Sequence, residues 1–141
     1  MPADAAAQLL HAMLPVADLG RSLEFYREHF GLTEIRRISF PEIPRTLVFM
    51  ASAEAGAAAM QLELWHEPGV WSGGSAAPDH AGTRLHGHIG IAVAGIDAFV
   101  ARLATRGVKV LKPPAELRPG GRRIAMIADP DGHEIELLAT G

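Results

Sequence analysis

The chain is written twice. Displaced by 77 residues, "HAMLPVADLGRSLEFY" from His11 falls onto "HIGIAVAGIDAFVARL" from His88. Val16 meets Val93, Leu19 meets Ile96, Leu23 meets Val100 and Tyr26 meets Leu103. Each copy reads as a strand, a short turn and an amphipathic helix. In the first, Asp18 is a suitable N-cap, Leu19, Leu23, Tyr26 and Phe30 form one helical face, and Gly31 is the C-cap. In the second, Ile96, Phe99, Val100 and Leu103 form the face and Gly107 stops the helix. Three strand candidates follow each helix: Glu34–Ser39, Thr46–Ala51 and Met60–Trp65, then Val108–Lys112, Arg122–Ala128 and Glu134–Leu138. Between them "PEIP", "SAEAGAA", "PPAELRPGG" and "DPDG" carry turn chemistry. The expected fold is therefore α+β, a βαβββ module repeated with pseudo-twofold symmetry. Modules 9–66 and 86–139 make one domain over 9–139, joined by the linker "EPGVWSGGSAAPDHAGTR".

Composition narrows the chemistry. At 141 residues with 48% apolar content, the chain has material for a core, and its net charge of -3 comes from scattered residues of both signs. No basic stripe interleaved with aromatics predicts a nucleic-acid surface, and no apolar run has membrane length. "MPADAAAQLL" lacks the pattern of a secretory leader, so a cytoplasmic location is expected. With no cysteine, thiolate ligands, disulfides and cysteine nucleophiles are excluded. Any metal must be held by His, Asp or Glu.

Alternation along the repeated strands gives each two unlike faces. In "LLHAMLPV", Leu10, Ala12, Leu14 and Val16 oppose Leu9, His11, Met13 and Pro15. In "HGHIGIAV", Ile89, Ile91 and Val93 oppose His86, His88, Gly90 and Ala92. In "MQLELW", Leu62 and Leu64 oppose Gln61, Glu63 and Trp65, and in "HEIELL", Ile135 and Leu137 oppose Glu134, Glu136 and Leu138. An apolar face for a helix to cover thus recurs four times, backed by a face with polar groups that would line a cavity in a curved sheet. Taken singly, a strand glutamate is usually a solvated residue and a histidine at a strand start is usually structural. Pseudo-twofold symmetry would bring His11, Glu63, His88 and Glu136 together. Two imidazoles and two carboxylates suit one divalent metal per site, such as Ni, Zn, Co, Mn or Fe.

The segments "LLHAMLPVADLGRSLEFY", "QLELWHEPGV", "HGHIGIAV" and "ADPDGHEIELL" resemble the glyoxalase I (lactoylglutathione lyase) branch of the vicinal-oxygen-chelate superfamily, from Leu9 to Leu138. The resemblance implies the glyoxalase/bleomycin-resistance fold, with curved mixed sheets around a metal-binding cavity. It also implies a homodimer whose sites lie at the subunit interface. Carried over residue by residue, the metal ligands fall on His11, Glu63, His88 and Glu136. The implied reaction isomerises the hemithioacetal of methylglyoxal and glutathione through a metal-stabilised enediolate. Glu136 is the implied base, with Glu63 its near-symmetric counterpart.

Relatives that use glutathione carry "MLRV" where this chain has "MLPV", and "ELTHNWG" where it has "ELWHEPG". Pro15 thus replaces a carboxylate-gripping arginine, Glu67 an asparagine, and Trp65 a small residue facing the pocket. These exchanges should weaken an anionic tripeptide. Met13, Pro15, Trp65, Glu67, Arg122 and Arg123 are the pocket candidates, with Arg118, Arg122 and Arg123 a source of compensating charge or simply a solvated loop. Gln61 is an alternative ligand in place of Glu63 after a register slip. His86 is placed at the pocket mouth or in solvent, His66 on the opposite face, and His29, His80 and His133 in exposed positions. Glu134 is expected at the rim. Phe49, Met50 and Trp71 are expected in packing, with Trp71 able to cover an apolar ligand. The competing readings are an extradiol-type dioxygenase or a resistance enzyme acting on a non-glutathione substrate, both of which normally lack Glu63, and an antibiotic-sequestering module that dispenses with all four ligands.

Overall fold

The computed structural model describes residues 7–56, 59–71 and 87–140. Its contacts divide the chain after Ser72 into two compact units, each a βαβββ module. The first contains β1 (His11–Val16), α1 (Leu19–Phe30), β2 (Leu32–Ser39), β3 (Thr46–Ser52) and β4 (Gln61–His66). The second contains β5 (His88–Val93), α2 (Ile96–Thr105), β6 (Lys109–Glu116), β7 (Arg123–Ala128) and β8 (Glu134–Ala139). Each unit is a four-stranded mixed sheet, ordered β1-β4-β3-β2 and β5-β8-β7-β6. The first and last strands of each module run parallel, and the other pairs are antiparallel. Among the described residues no helix is long and apolar enough to cross a membrane.

The helix boundaries follow local chemistry. Asp18 is extended (φ -134°) and its Oδ1 accepts the Arg21 N–H at 2.9 Å, satisfying a donor left free at the helix start. Gly31 ends α1 in the left-handed region at φ 67°, where a Cβ would be strained. The buried face of α1 is Ser22, Phe25 and Tyr26, with Leu19, Leu23 and Phe30 half-buried. The stripe is therefore rotated from the expected one, because Phe25 packs edge-on against Tyr26, His29 and Phe30. His29, expected in solvent, is half-buried by that contact. In α2 the expected face holds: Ile96, Val100 and Leu103 are buried and Phe99 is half-buried.

Each core lies between a helix and one sheet face. In the first unit Val48 pairs with Leu64 and Met50 with Leu62, all buried together with Val16 and Tyr26. In the second, Ala125 pairs with Leu137 and Ile127 with Ile135, buried beneath Ile96, Val100 and Leu103.

One strand is longer than its sequence promises. "PPAE", expected in a loop, forms the second half of β6. β6 is an edge strand, so the missing N–H groups of Pro113 and Pro114 break no ladder to an outer neighbour. The pairing with β7 shifts register between Val110 and Ala115, where the prolines stand.

Candidate functional site

The parallel pairing of β1 with β4 decides what meets on the polar face of the first sheet. His11 pairs with Gln61, Met13 with Glu63 and Pro15 with Trp65, so these six residues share that face. Of the two possible partners for His11, Glu63 is the one reached: His11 Nε2 lies 3.1 Å from Glu63 Oε2. The His11 side chain is 42% exposed and that of Glu63 only 8%. Phe49, directly opposite Glu63 on β3, packs its ring edge-on to the His11 imidazole at 5.3 Å. The Arg36 guanidinium lies 4.2 Å over the same phenyl ring. Phe49 is thus buried in packing, as expected, but on the polar face, where it backs the His11 ring.

The second unit repeats the arrangement more loosely. His88 pairs with Glu134 and Gly90 with Glu136. His88 Nε2 lies 3.7 Å from Glu136 Oε2, with side chains 42% and 24% exposed. Glu134, expected at the rim, is half-buried and holds the register position that Gln61 holds in the first unit. The turn before β8 is tight. Asp129 Oδ1 accepts the N–H groups of Asp131 and His133, both at 2.9 Å, and Gly132 takes φ 88°. His133 is half-buried in that turn rather than exposed.

The donor sets suit a divalent ion. Two donors each about 2.1 Å from one ion stand about 3.0 Å apart at a right angle and about 3.4 Å apart at a tetrahedral one. The His11–Glu63 separation of 3.1 Å lies within that range, and the 3.7 Å of His88–Glu136 comes into it with a small side-chain rotation. Among the described residues, neither unit gathers three or more ligating side chains by itself. Each brings one imidazole and one carboxylate into contact.

Beyond the His11–Glu63 pair the same face opens into a cavity of about 300 Å³ lined by Met13, Pro15, Arg45, Trp65, Glu67, Val70 and Trp71. Four of the six expected pocket residues line it. Arg45 was not foreseen. It precedes β3, where extending the observed register sets it opposite Glu67, and its Nε donates to Glu67 Oε2 at 3.1 Å. Its guanidinium also lies 4.4 Å over the Trp65 ring. The signal was in "PRTLVF": Arg45, Leu47 and Phe49 share strand parity. A second hollow of about 370 Å³ is lined by Leu10, His11, Ile35, Arg36 and Gln61.

The other two pocket candidates are engaged locally in the second unit. Arg123 Nη2 pairs with Asp97 at 2.5 Å, and Arg122 Nε donates to the Ala139 carbonyl at 2.9 Å. Arg118 is exposed, and His66 is half-buried on the face opposite Glu63. His80 and His86 lie outside the described residues.

Residues 8–137 match the model of the Glyoxalase/Bleomycin resistance protein/Dioxygenase superfamily. The chain belongs to that superfamily. Within it, the chain is 35% identical over 133 residues to a lactoylglutathione lyase of Haemophilus influenzae, covering 93% of this chain and 91% of that protein. It is 32% identical to a lactoylglutathione lyase of Salmonella typhimurium, with coverage of 93% and 91%. Among solved structures it is similar to a trypanothione-dependent glyoxalase I of Leishmania major, with a TM-score of 0.73 and 34% identity over 95% of this chain and 87% of that one. The superfamily fold, two four-stranded mixed sheets with two helices, is the α+β class that the repeat predicts.

Proposed function

We propose that the protein is a metal-dependent, glyoxalase I-like isomerase acting on a hemithioacetal. His11, Glu63, His88 and Glu136 would hold one divalent ion, of the Ni, Zn, Co, Mn or Fe group. The observation that carries this reading is the repeated imidazole–carboxylate contact, 3.1 Å in one unit and 3.7 Å in the other. When bound, such an ion supplies Lewis-acid polarisation of the oxygens of an α-hydroxycarbonyl, which acidifies the C–H between them.

A difference between the two carboxylates supports a division of work between them. Glu63 is the more buried and the more closely held, between His11 and the strand register. Glu136 is more exposed and stands further from its histidine. Glu136 is therefore the group free to swing, take the substrate C–H proton and return it to the adjacent carbon. Glu63 keeps its place as a ligand.

Each unit supplies half of a four-donor set, and we place the complete site at the interface of a homodimer, with a small-molecule substrate. A cytoplasmic location belongs to the same proposal. Metal analysis combined with a hemithioacetal isomerase assay tests it. Wild type is expected to bind one ion per site and to turn over. Glu136→Gln is expected to keep the ion and lose activity by about 10²–10⁴-fold. Mixing inactive His11→Ala and His88→Ala proteins should restore part of the activity, because one of the two sites in a mixed dimer then carries no substitution. A reconstituted protein that binds no ion would refute the reading. One that binds metal without isomerising any hemithioacetal would refute the reaction.

A further inference from the structure

The cavity beside His11 and Glu63 has a charge pattern of its own. Its walls are largely apolar, formed by Trp65, Trp71, Val70, Met13 and Pro15. Its two charges are Arg45 and Glu67, which lie 3.1 Å apart with side chains 27% and 19% exposed. The guanidinium is held on its edge by the carboxylate and on its face by the Trp65 indole. An incoming carboxylate would have to share Arg45 with Glu67 or displace it, bringing two like charges together in a partly desolvated site. An uncharged group would leave the pair intact and gain contact with the indoles.

The cavity is also placed to read part of the substrate. Met13 and Pro15 continue the His11 face of β1, and Trp65 continues the Glu63 face of β4. Successive residues on one strand face are about 7 Å apart, so the cavity begins one step beyond the donor pair. That is where the thiol arm of a hemithioacetal would extend when its carbonyl end lies at His11 and Glu63.

We infer that this cavity selects a thiol whose arm carries an uncharged, apolar group there, and that Glu67 is the specificity-determining residue. The inference rests on the isomerase reading for the orientation of the substrate. Glu67 acts by holding Arg45 neutralised, and removing its charge releases a cation that an anionic arm can use.

The test compares N-acetyl-S-methylglutathione with its uncharged diethyl ester by calorimetry on wild type, Glu67→Gln and the double variant Arg45→Met/Glu67→Gln. Isomerisation of the methylglyoxal hemithioacetals of the free thiols, N-acetylglutathione and its diethyl ester, is followed in parallel. Wild type should bind the ester about tenfold more tightly than the acid. Glu67→Gln should raise affinity for the acid about tenfold and abolish the preference. The double variant, with no cation left to release, should retain the ester preference even if the single variant folds poorly. Equal or tighter binding of the acid by wild type, or a ratio unchanged in Glu67→Gln, overturns the inference. The expected binding ratios with neither adduct isomerised would sustain the cavity's selectivity and remove the isomerase reading. Isomerisation of both adducts with no dependence on arm charge would do the reverse.

Discussion

Asp129 is the residue on which the geometry of β8, and hence of Glu136, depends most directly. Its Oδ1 accepts two backbone N–H groups, from Asp131 and His133, each at 2.9 Å. Its own N–H donates to the His133 carbonyl, and the Gly132 N–H donates to the Asp129 carbonyl, also at 2.9 Å. Asp129 and Asp131 are both buried. Replacing Asp129 by alanine strands two donors, and a buried donor left unpaired costs about 1–3 kcal/mol. The Asp131 N–H bears most of that cost. The His133 N–H belongs to a half-buried residue and recovers part of its loss from water. The expected destabilisation is about 2–4 kcal/mol. Asparagine keeps an acceptor oxygen and loses only the charge assistance, so it should cost about 1 kcal/mol. Urea unfolding of the three proteins measures this, and amide exchange at Glu134 to Glu136 should quicken in the alanine variant. An alanine variant within about 0.5 kcal/mol of wild type would refute the argument, as would an asparagine variant as damaged as the alanine one.

Asp18→Ala should lower stability by about 1 kcal/mol in urea, since it removes the acceptor of the Arg21 N–H at the start of α1. Two glycines should respond unequally. A Cβ at Gly121 would lie 2.9 Å from the Arg118 carbonyl oxygen, so Gly121→Ala should cost about 1–3 kcal/mol, whereas a Cβ at Gly90 would meet only the mobile Leu138 Cδ1 at 3.1 Å, and Gly90→Ala should cost under about 1 kcal/mol. At the surface, the hydrogen bond from Arg37 holds the Glu34 carboxyl below the usual carboxylate range, offset in part by desolvation. The pair's contribution is therefore present above the ordinary carboxylate pKa and lost as pH falls through the lowered folded one. Glu34→Gln should cost under about 0.5 kcal/mol at neutral pH and nothing in acid, in matched urea titrations.

The repeat made most of the fold legible, because a duplicated strand–turn–helix pattern leaves few ways to close two sheets. Asp18 and Gly31 announced the ends of α1 through their side-chain chemistry. Strand parity put His11 with Glu63 and His88 with Glu136, which needed only alternation and a parallel pairing of first and last strands. Sequence reasoning failed where position in the sheet overrides composition. Pro113 and Pro114 read as a loop because nothing local says that β6 is an edge. Arg45 went unnoticed because its partner Glu67 lies 22 residues away and becomes a neighbour only through the β3–β4 register. Phe25 was passed over because the buried stripe of α1 follows aromatic packing rather than the leucines.

The repeat also carries a record of divergence. With the 77-residue offset that superposes β1 to β3 on β5 to β7, Arg45 falls on Arg122. The last strands are offset by 73, since β7 is one residue shorter than β3 and the turn after it three residues shorter, so Glu67 falls on Thr140. The same arginine thus occurs in both halves, captured by a carboxylate in one and by the Ala139 carbonyl in the other. Among the described residues, the repeat thus carries this cation twice and an acid beside only the first copy. The second half is therefore an internal control for the first: a substitution at Arg122 removes the matching arginine and leaves the Arg45–Glu67 pair in place.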